Sequence, residues 1–237
     1  MMRWLILTLK APMVSFGGEA IDARGITRDF PAASALTGLL GNALGYERHE
    51  TALLDRLQAR LVFGARREME PVLGRITDFQ TAQLSKGDKG WVTRGLPEGR
   101  DGGADTYDSP HIRYRDYHAD AAVTVVLRLD PAEEAPDIDA LAAALDRPAR
   151  PLFIGRKACL PAAPINGGFI EAGSAREALE AVPGDDTHSM RAIWPAGGND
   201  DGADRVYMLT DERNWRSGLH GGGRRVTEGR LKAAVRQ

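Results

Sequence analysis

What the chain of 237 residues lacks narrows its function before any motif is read. It holds one cysteine, Cys159, so no intrachain disulfide can form and no thiolate cluster can carry a structural zinc. No His-Glu-x-x-His occurs; His49, His111, His118, His188 and His220 are scattered in sequence. The Gly-x-x-x-x-Gly-Lys-Ser/Thr loop is missing too, and Gly38, Gly41 and Gly45 fall within a helical pattern, so they are not a dinucleotide turn. Long apolar runs are absent: Trp4–Leu9 is closed by Lys10 after six residues, too short for a membrane span or a secretory signal. A soluble, cytoplasmic protein with no cofactor, no metal and no enzyme signature is expected.

An excess of charge of one sign is also lacking. The net charge is −2, so bulk electrostatics do not mark a nucleic-acid binder. The distribution says more. Arg213, Arg216, Arg224, Arg225, Arg230, Lys232 and Arg236 face only Glu228 in the last stretch, while acidic residues gather at Asp130–Asp146 and Glu180–Asp204. Such segregation can make a local basic patch on a neutral protein. Residues 213–237 therefore read as a basic C-terminal tail.

The stretch that organises the rest is uncharged. Across Phe30–Tyr46, Leu36, Leu39, Leu40, Ala43 and Leu44 fall on one helical face. Pro31 suits its first turn and Gly45 its C-terminal stop. The glycines inside it predict close approach of another backbone or a ligand. Its N-terminus, with Thr27, Arg28 and Ser34 nearby, is a candidate phosphate site.

In chain order, Arg3–Lys10 reads as a buried first strand and Thr51–Leu61 as a second amphipathic helix. Leu61–Arg67 and Val72–Thr81 alternate like strands. Periodicity is then lost over Gln83–Asp116, which carries Trp91, Tyr107 and Tyr114 among glycines and balanced charges. A segment this long within a domain is usually functional, and its aromatics argue against a plain linker; it reads as an arm that orders on a partner. His118–Asp130 is the strongest strand pattern. A helix at Asp137–Leu145, a strand and turn at Leu152–Cys159, a short helix at Ala175–Ala181, and strands at Met190–Trp194 and Arg205–Leu209 follow. Strand, helix, strand, strand, helix, strand predicts an α+β fold of ferredoxin-like type, an antiparallel sheet with helices on one face.

Two turns offer RNA chemistry. Phe153-Ile154-Gly155-Arg156-Lys157 places a ring for stacking, a glycine for close approach and two cations for phosphate. Gly221-Gly222-Gly223-Arg224-Arg225 makes a similar offer. Single-stranded RNA is read by this combination of stacking and backbone contacts. A rival reading is a metal-independent endoribonuclease with His118 or His111 as base, assisted by Tyr114 or Lys86.

Several blocks together resemble one family. Arg3–Lys10 with Ala-Pro-Met-Val-Ser-Phe-Gly, and Thr27–Gly45 after it, are similar to the start of the type I-E branch of the CRISPR-associated "Cas five" family of the RAMP superfamily, a subunit of the Cascade surveillance complex. Asp78–Thr81, Tyr114–Tyr117, Phe153–Cys159 and Arg225–Gly229 fit the same pattern in the same order. The resemblance implies a single RRM-like domain over 1–237 with a protruding thumb at 83–116. It also implies a non-catalytic subunit that grips the 5′ handle of the guide RNA, caps the backbone filament and serves antiviral defence. Implied partners are the CRISPR RNA, the backbone subunit CasC and the large subunit CasA, with target DNA near the thumb. Carried over by position, the handle contacts are Arg28, Ser34, Phe153, Arg156 and Lys157, and the thumb contacts are Lys86, Lys89, Trp91, Arg94 and Arg115. Relatives in subtype I-C cut precursor RNA; in type I-E that role belongs to CasE, so no catalysis is implied.

Overall fold

The computed structural model describes residues 1–18, 20–21, 23–70, 74–82, 110–185, 187–198 and 202–235. The first strand, β1 (Met2–Val14), shows why a sheet forms here. Leu5, Leu7 and Leu9 enter one buried cluster, whereas Trp4 and Ile6 enter another, the period of two that a sheet covered on both faces requires. Two short strands, β2 (Ala20–Ile21) and β3 (Arg24–Gly25), lead to helix α1 (Ala33–Leu44), and α2 (Thr51–Arg60) runs directly into β4 (Leu61–Met69). Next come β5 (Arg75–Ala82), the long β6 (His111–Leu129), α3 (Ile138–Asp146) and β7 (Asn166–Ala172). The chain closes with α4 (Ala175–Ala181), β8 (Met190–Pro195), β9 (Ala203–Arg213) and β10 (His220–Leu231).

The expected α+β arrangement is present. β1 lies between β7 and β6, with Trp4 opposite Ile170 and Leu5 opposite Leu127, and β4 lies on the far side of β6, with Leu61 opposite Leu129. All these pairings are antiparallel, so β1-α1-β4-β6-α3-β7 is the six-element ferredoxin-like unit. The sheet then continues from β4 through β8 and β10 to β9. Its one parallel strand pairing among the described residues is β3 with β6. Residues of α1, α2 and α3 share the first cluster with Leu5, Phe63 and Val125. Ala175, Ala178 and Leu179 of α4 share the second with Trp4, Val126 and Trp194. The single helical face thus holds for the ferredoxin-like unit, and the later helix covers the opposite side. No helix among the described residues is long and apolar enough to cross a membrane.

Helix α1 behaves as its leucines predict: Leu36 and Leu40 are fully buried, each contributing about 1.5–3 kcal/mol by transfer from water. Gly45 caps it with φ 86°, the left-handed position that glycine adopts most readily. At Gly41 a Cβ would lie 2.8 Å from Leu54, so this glycine lets α2 approach α1.

Two boundaries read from sequence are corrected. The segment 213–237, read as a basic C-terminal tail, is built into the sheet: β10 is hydrogen-bonded to β8 on one side and β9 on the other. Its buried positions mix apolar and polar residues: Val226 and Leu231 are buried alongside Thr227 and Glu228, and Glu228 accepts from Arg191, Arg205 and Tyr207. The arm is shorter at its C-terminal side than its lack of periodicity suggests. His111–Asp116 pair with β5, from Ala82 opposite His111 to Thr77 opposite Asp116, so 83–109 joins the ends of a β5–β6 hairpin and lies outside the described residues.

Candidate nucleic-acid interface

The turn after α3 is built around two buried anchors. The Ile154 N–H donates to the Cys159 carbonyl at 2.8 Å, and the Cys159 N–H donates to the Arg156 carbonyl at 2.8 Å. Both anchor side chains are buried, and burial pushes the Cys159 thiol pKa up, against the opposing hydrogen bond and charge of Arg156; this thiol is inert packing. Gly155 has φ 89°, and a Cβ there would fall 1.6 Å from the Ser15 carbonyl oxygen. Only glycine lets the turn sit this close to the end of β1. Phe153 is left half-buried and Lys157 exposed.

This turn forms one wall of a cleft of about 800 Å³. The floor is the small-residue face of α1, with Ser34, Ala35, Gly38 and Asn42; Gly25 and Ile26 add a second wall, and Arg48, Arg213, Trp215 and His220 a third. Trp215 is presented by a tight turn in which the Asn214 side chain accepts from the N–H groups of Arg216 and Ser217. Gln58 of α2 holds the segment by donating to the Arg213 carbonyl at 3.0 Å and accepting from the Trp215 indole at 3.3 Å. The cleft gathers five cations, Arg48, Arg150, Arg156, Lys157 and Arg213, and one carboxylate, Glu47. Arg150 already pairs Glu47 at 2.7 Å. On a chain of net charge −2 this concentration is a local anion-attracting site, with the rings of Phe153 and Trp215 beside it.

A model of the family described as CRISPR-associated protein (Cas5) matches residues 4–227. The chain belongs to the Cas5 family. Among the curated proteins it is similar to "CRISPR system Cascade subunit CasD" of Escherichia coli (strain K12), at 28% identity over 204 residues, covering 78% of this chain and 80% of that protein. Among solved structures, a chain of a CRISPR RNA-guided surveillance complex aligns with a TM-score of 0.68 at 24% identity, covering 97% of this chain and 90% of its own. The crystal structure of a Cas protein aligns with a TM-score of 0.62 at 26% identity, covering 97% and 95%.

In this Cas5 chain the sequence-predicted residues separate into groups. Ser34, Phe153, Arg156 and Lys157 line the cleft. Arg156 is tied inward: it donates to the carbonyls of Asp116 and Gly25 at 2.9 Å each and lies 4.7 Å over the Tyr117 ring, bracing the turn against β3 and β6. Lys157 has no ion-pair partner among the described residues. Arg28 does not line the cleft; its guanidinium donates to the Thr210 carbonyl at 2.7 Å. The α1 N-terminus is not open to a phosphate either, because the buried Asp211 accepts from the Ala33 N–H at 3.0 Å. A fixed carboxylate takes this backbone donor and faces the positive end of the helix. Arg224 is spent on the same residue, at 3.2 Å from Asp211 and 3.9 Å over the Phe63 ring, so the triple-glycine turn is a strand start and not a phosphate loop. Arg115 stands on β6 opposite Gly25 and Asp78. Lys86, Lys89, Trp91 and Arg94 lie outside the described residues, as does the side chain of His111.

Of the described cleavage candidates, neither His118 nor Tyr114 lines the cleft. His118 is buried, and its Nε2–H donates to the Arg28 carbonyl at 2.9 Å. Burial lowers its pKa, against the opposing effect of that hydrogen bond, so the ring is neutral and its proton is committed. Tyr114 is exposed on the hairpin, its ring beside Phe79. No cluster of metal-ligating side chains occurs among the described residues. Sequence reasoning missed Arg48, Arg150 and Trp215. A tryptophan inside a segment read as a basic tail is the signal that marks the last of these.

Proposed function

We propose that this chain is a non-catalytic RNA-binding subunit of a type I-E Cascade surveillance complex, holding the 5′ handle of the CRISPR RNA in the cleft beside Phe153–Lys157. The observation that carries the reading is the cleft itself: five cations against one neutralised carboxylate, with two rings able to stack bases. Phosphate contacts supply affinity there, and the rings fix the path of a single strand. The similarity to the Escherichia coli Cascade subunit supports placing the chain in that assembly. In this reading it meets the backbone subunit CasC and the large subunit CasA in the cytoplasm. By seating a defined RNA end it caps the backbone filament. In this reading the thumb, expected at 83–116 and rooted in the β5–β6 hairpin, reaches toward the duplex of guide and target DNA, and the assembly serves antiviral defence.

Co-expression with the neighbouring Cascade genes tests the reading. A single guide RNA of defined 5′ end is expected to co-purify, and a complex assembled without RNA contacts to this subunit overturns it. Incubation of the protein with repeat RNA in EDTA is expected to leave the RNA intact. Site-specific cleavage abolished by His118→Ala replaces binding with endoribonuclease activity.

A further inference from the structure

The floor of the cleft carries an amide whose hydrogen bonding is only partly used. Asn42 follows Gly38 by four residues on α1, so the two share a helix face one turn apart. It is half-buried and lines the cleft. Its Nδ2 donates to the Pro151 carbonyl at 2.9 Å. A carbonyl only accepts, so the amide nitrogen must face Pro151, and this contact fixes which end of the amide is which. Oδ1 accepts from no group among the described residues.

Two rings bracket this amide along the helix. The Trp215 indole stands over Gly38, where an added Cβ would lie 3.7 Å from Cη2. Tyr46, four residues beyond Asn42, also lines the cleft, and its ring lies 3.7 Å from an added Cβ at Gly41. Arg48 and Lys157 are exposed and make no ion pair among the described residues. A strand whose phosphates meet these two cations turns its bases inward, toward the rings and the α1 floor. A neutral amide adds little attraction for phosphate, so its place on that floor serves discrimination.

We propose that Asn42 is a specificity-determining residue that reads one adenine of the strand held in the cleft, an inference that rests on the cleft being the RNA site. The adenine amino group donates to Oδ1, and the ring nitrogen beside it accepts the second amide hydrogen, the two-bond pairing of asparagine with adenine. The matching edge of guanine carries two acceptors. It leaves Oδ1 desolvated and unmet, which costs affinity. A purine covers more of an indole than a pyrimidine does, so stacking on Trp215 favours adenine over cytosine and uracil.

Fluorescence anisotropy with the full chain and labelled oligoadenosine, oligocytidine and oligouridine tests this, alongside an oligomer of purine riboside. The last keeps the adenine ring system and lacks its amino group, and a homopolymer presents the same base in every register. Oligoadenosine is expected to bind roughly tenfold more tightly than the purine oligomer, the discrimination of one paired base edge. Asn42→Ala is expected to erase that difference by weakening oligoadenosine alone. A purely structural role through Pro151 would instead lower Tm and weaken every oligomer alike, which overturns the assignment. Equal wild-type affinities for the adenosine and purine oligomers overturn it without any variant. An Asn42→Ala chain that keeps the tenfold preference does so too. In each of these cases the cleft reading stands if Lys157→Ala and Arg48→Ala weaken binding. If those two substitutions leave the affinity for every oligomer unchanged, the strand is not in the cleft, and both readings fall.

Discussion

Arg156 and Lys157 are adjacent cations in one turn, and the structure predicts that replacing them produces different failures. Arg156→Ala removes two charged hydrogen bonds of 2.9 Å to backbone carbonyls and a cation–π interaction 4.7 Å above the Tyr117 ring. Charged hydrogen bonds are worth roughly 1.5–3 kcal/mol each, and an exposed cation–π interaction about 0.5–1 kcal/mol. The site is partly open to water, which re-solvates the abandoned carbonyls, so the net loss is about 3 kcal/mol. For a chain of this size that lowers Tm by about 6–12 °C. Lys157→Ala removes an exposed side chain, so Tm is expected to stay constant. The salt slope of RNA binding is expected to flatten by about 0.7, because one phosphate is no longer neutralised. Differential scanning fluorimetry and a gel-shift titration at several salt concentrations measure both. Equal Tm values for the two variants, or a Lys157→Ala slope identical to wild type, refute the division of labour.

Gly155→Ala forces a Cβ to within 1.6 Å of the Ser15 carbonyl at φ 89°; it is expected to cost about 3 kcal/mol or more, read as a lower urea midpoint. Asp211→Ala leaves Arg224 unpaired and the α1 N-terminus uncapped, with an expected loss of about 3–5 kcal/mol in the same assay. Burial alone would raise the Glu228 pKa, but hydrogen bonds from Arg205 and Arg191 outweigh it and hold the group below its ordinary 4.5. Its ionised form therefore stabilises the fold above that pH, and the contribution is lost as pH falls through the lowered value. Glu228→Gln is accordingly expected to flatten the fall of stability below pH 4.5, measured by urea unfolding across pH; an identical pH profile for the variant contradicts the assignment.

Most of the ferredoxin-like unit was legible because those elements announce themselves locally. α1 carries a leucine stripe, β6 the run Val123–Leu127, and α3 is capped by Asp137, whose side chain accepts from the Ala140 N–H at 2.8 Å. β7 escaped because Asn166-Gly167-Gly168 breaks its alternation. β10 escaped because glycines and charges crowd its sequence: the buried Glu228 is satisfied by Arg191 and Arg205, distant in sequence, and charge in sequence looks like solvent exposure. The phosphate site at α1 failed for a related reason, since Asp211, which occupies it, lies 178 positions away. In the cleft, the residues of one turn were readable from their types. Arg48, Arg150 and Trp215 come from three other segments, and only the tertiary fold brings them to the same cleft.

Crosslinking of the assembled complex, with nucleotide-bearing peptides identified by mass spectrometry, tests the central claim most directly. The cleft predicts adducts on Phe153 and Trp215 joined to nucleotides of the 5′ handle. Adducts confined to other surfaces, with 153–157 and Trp215 free of RNA, contradict it.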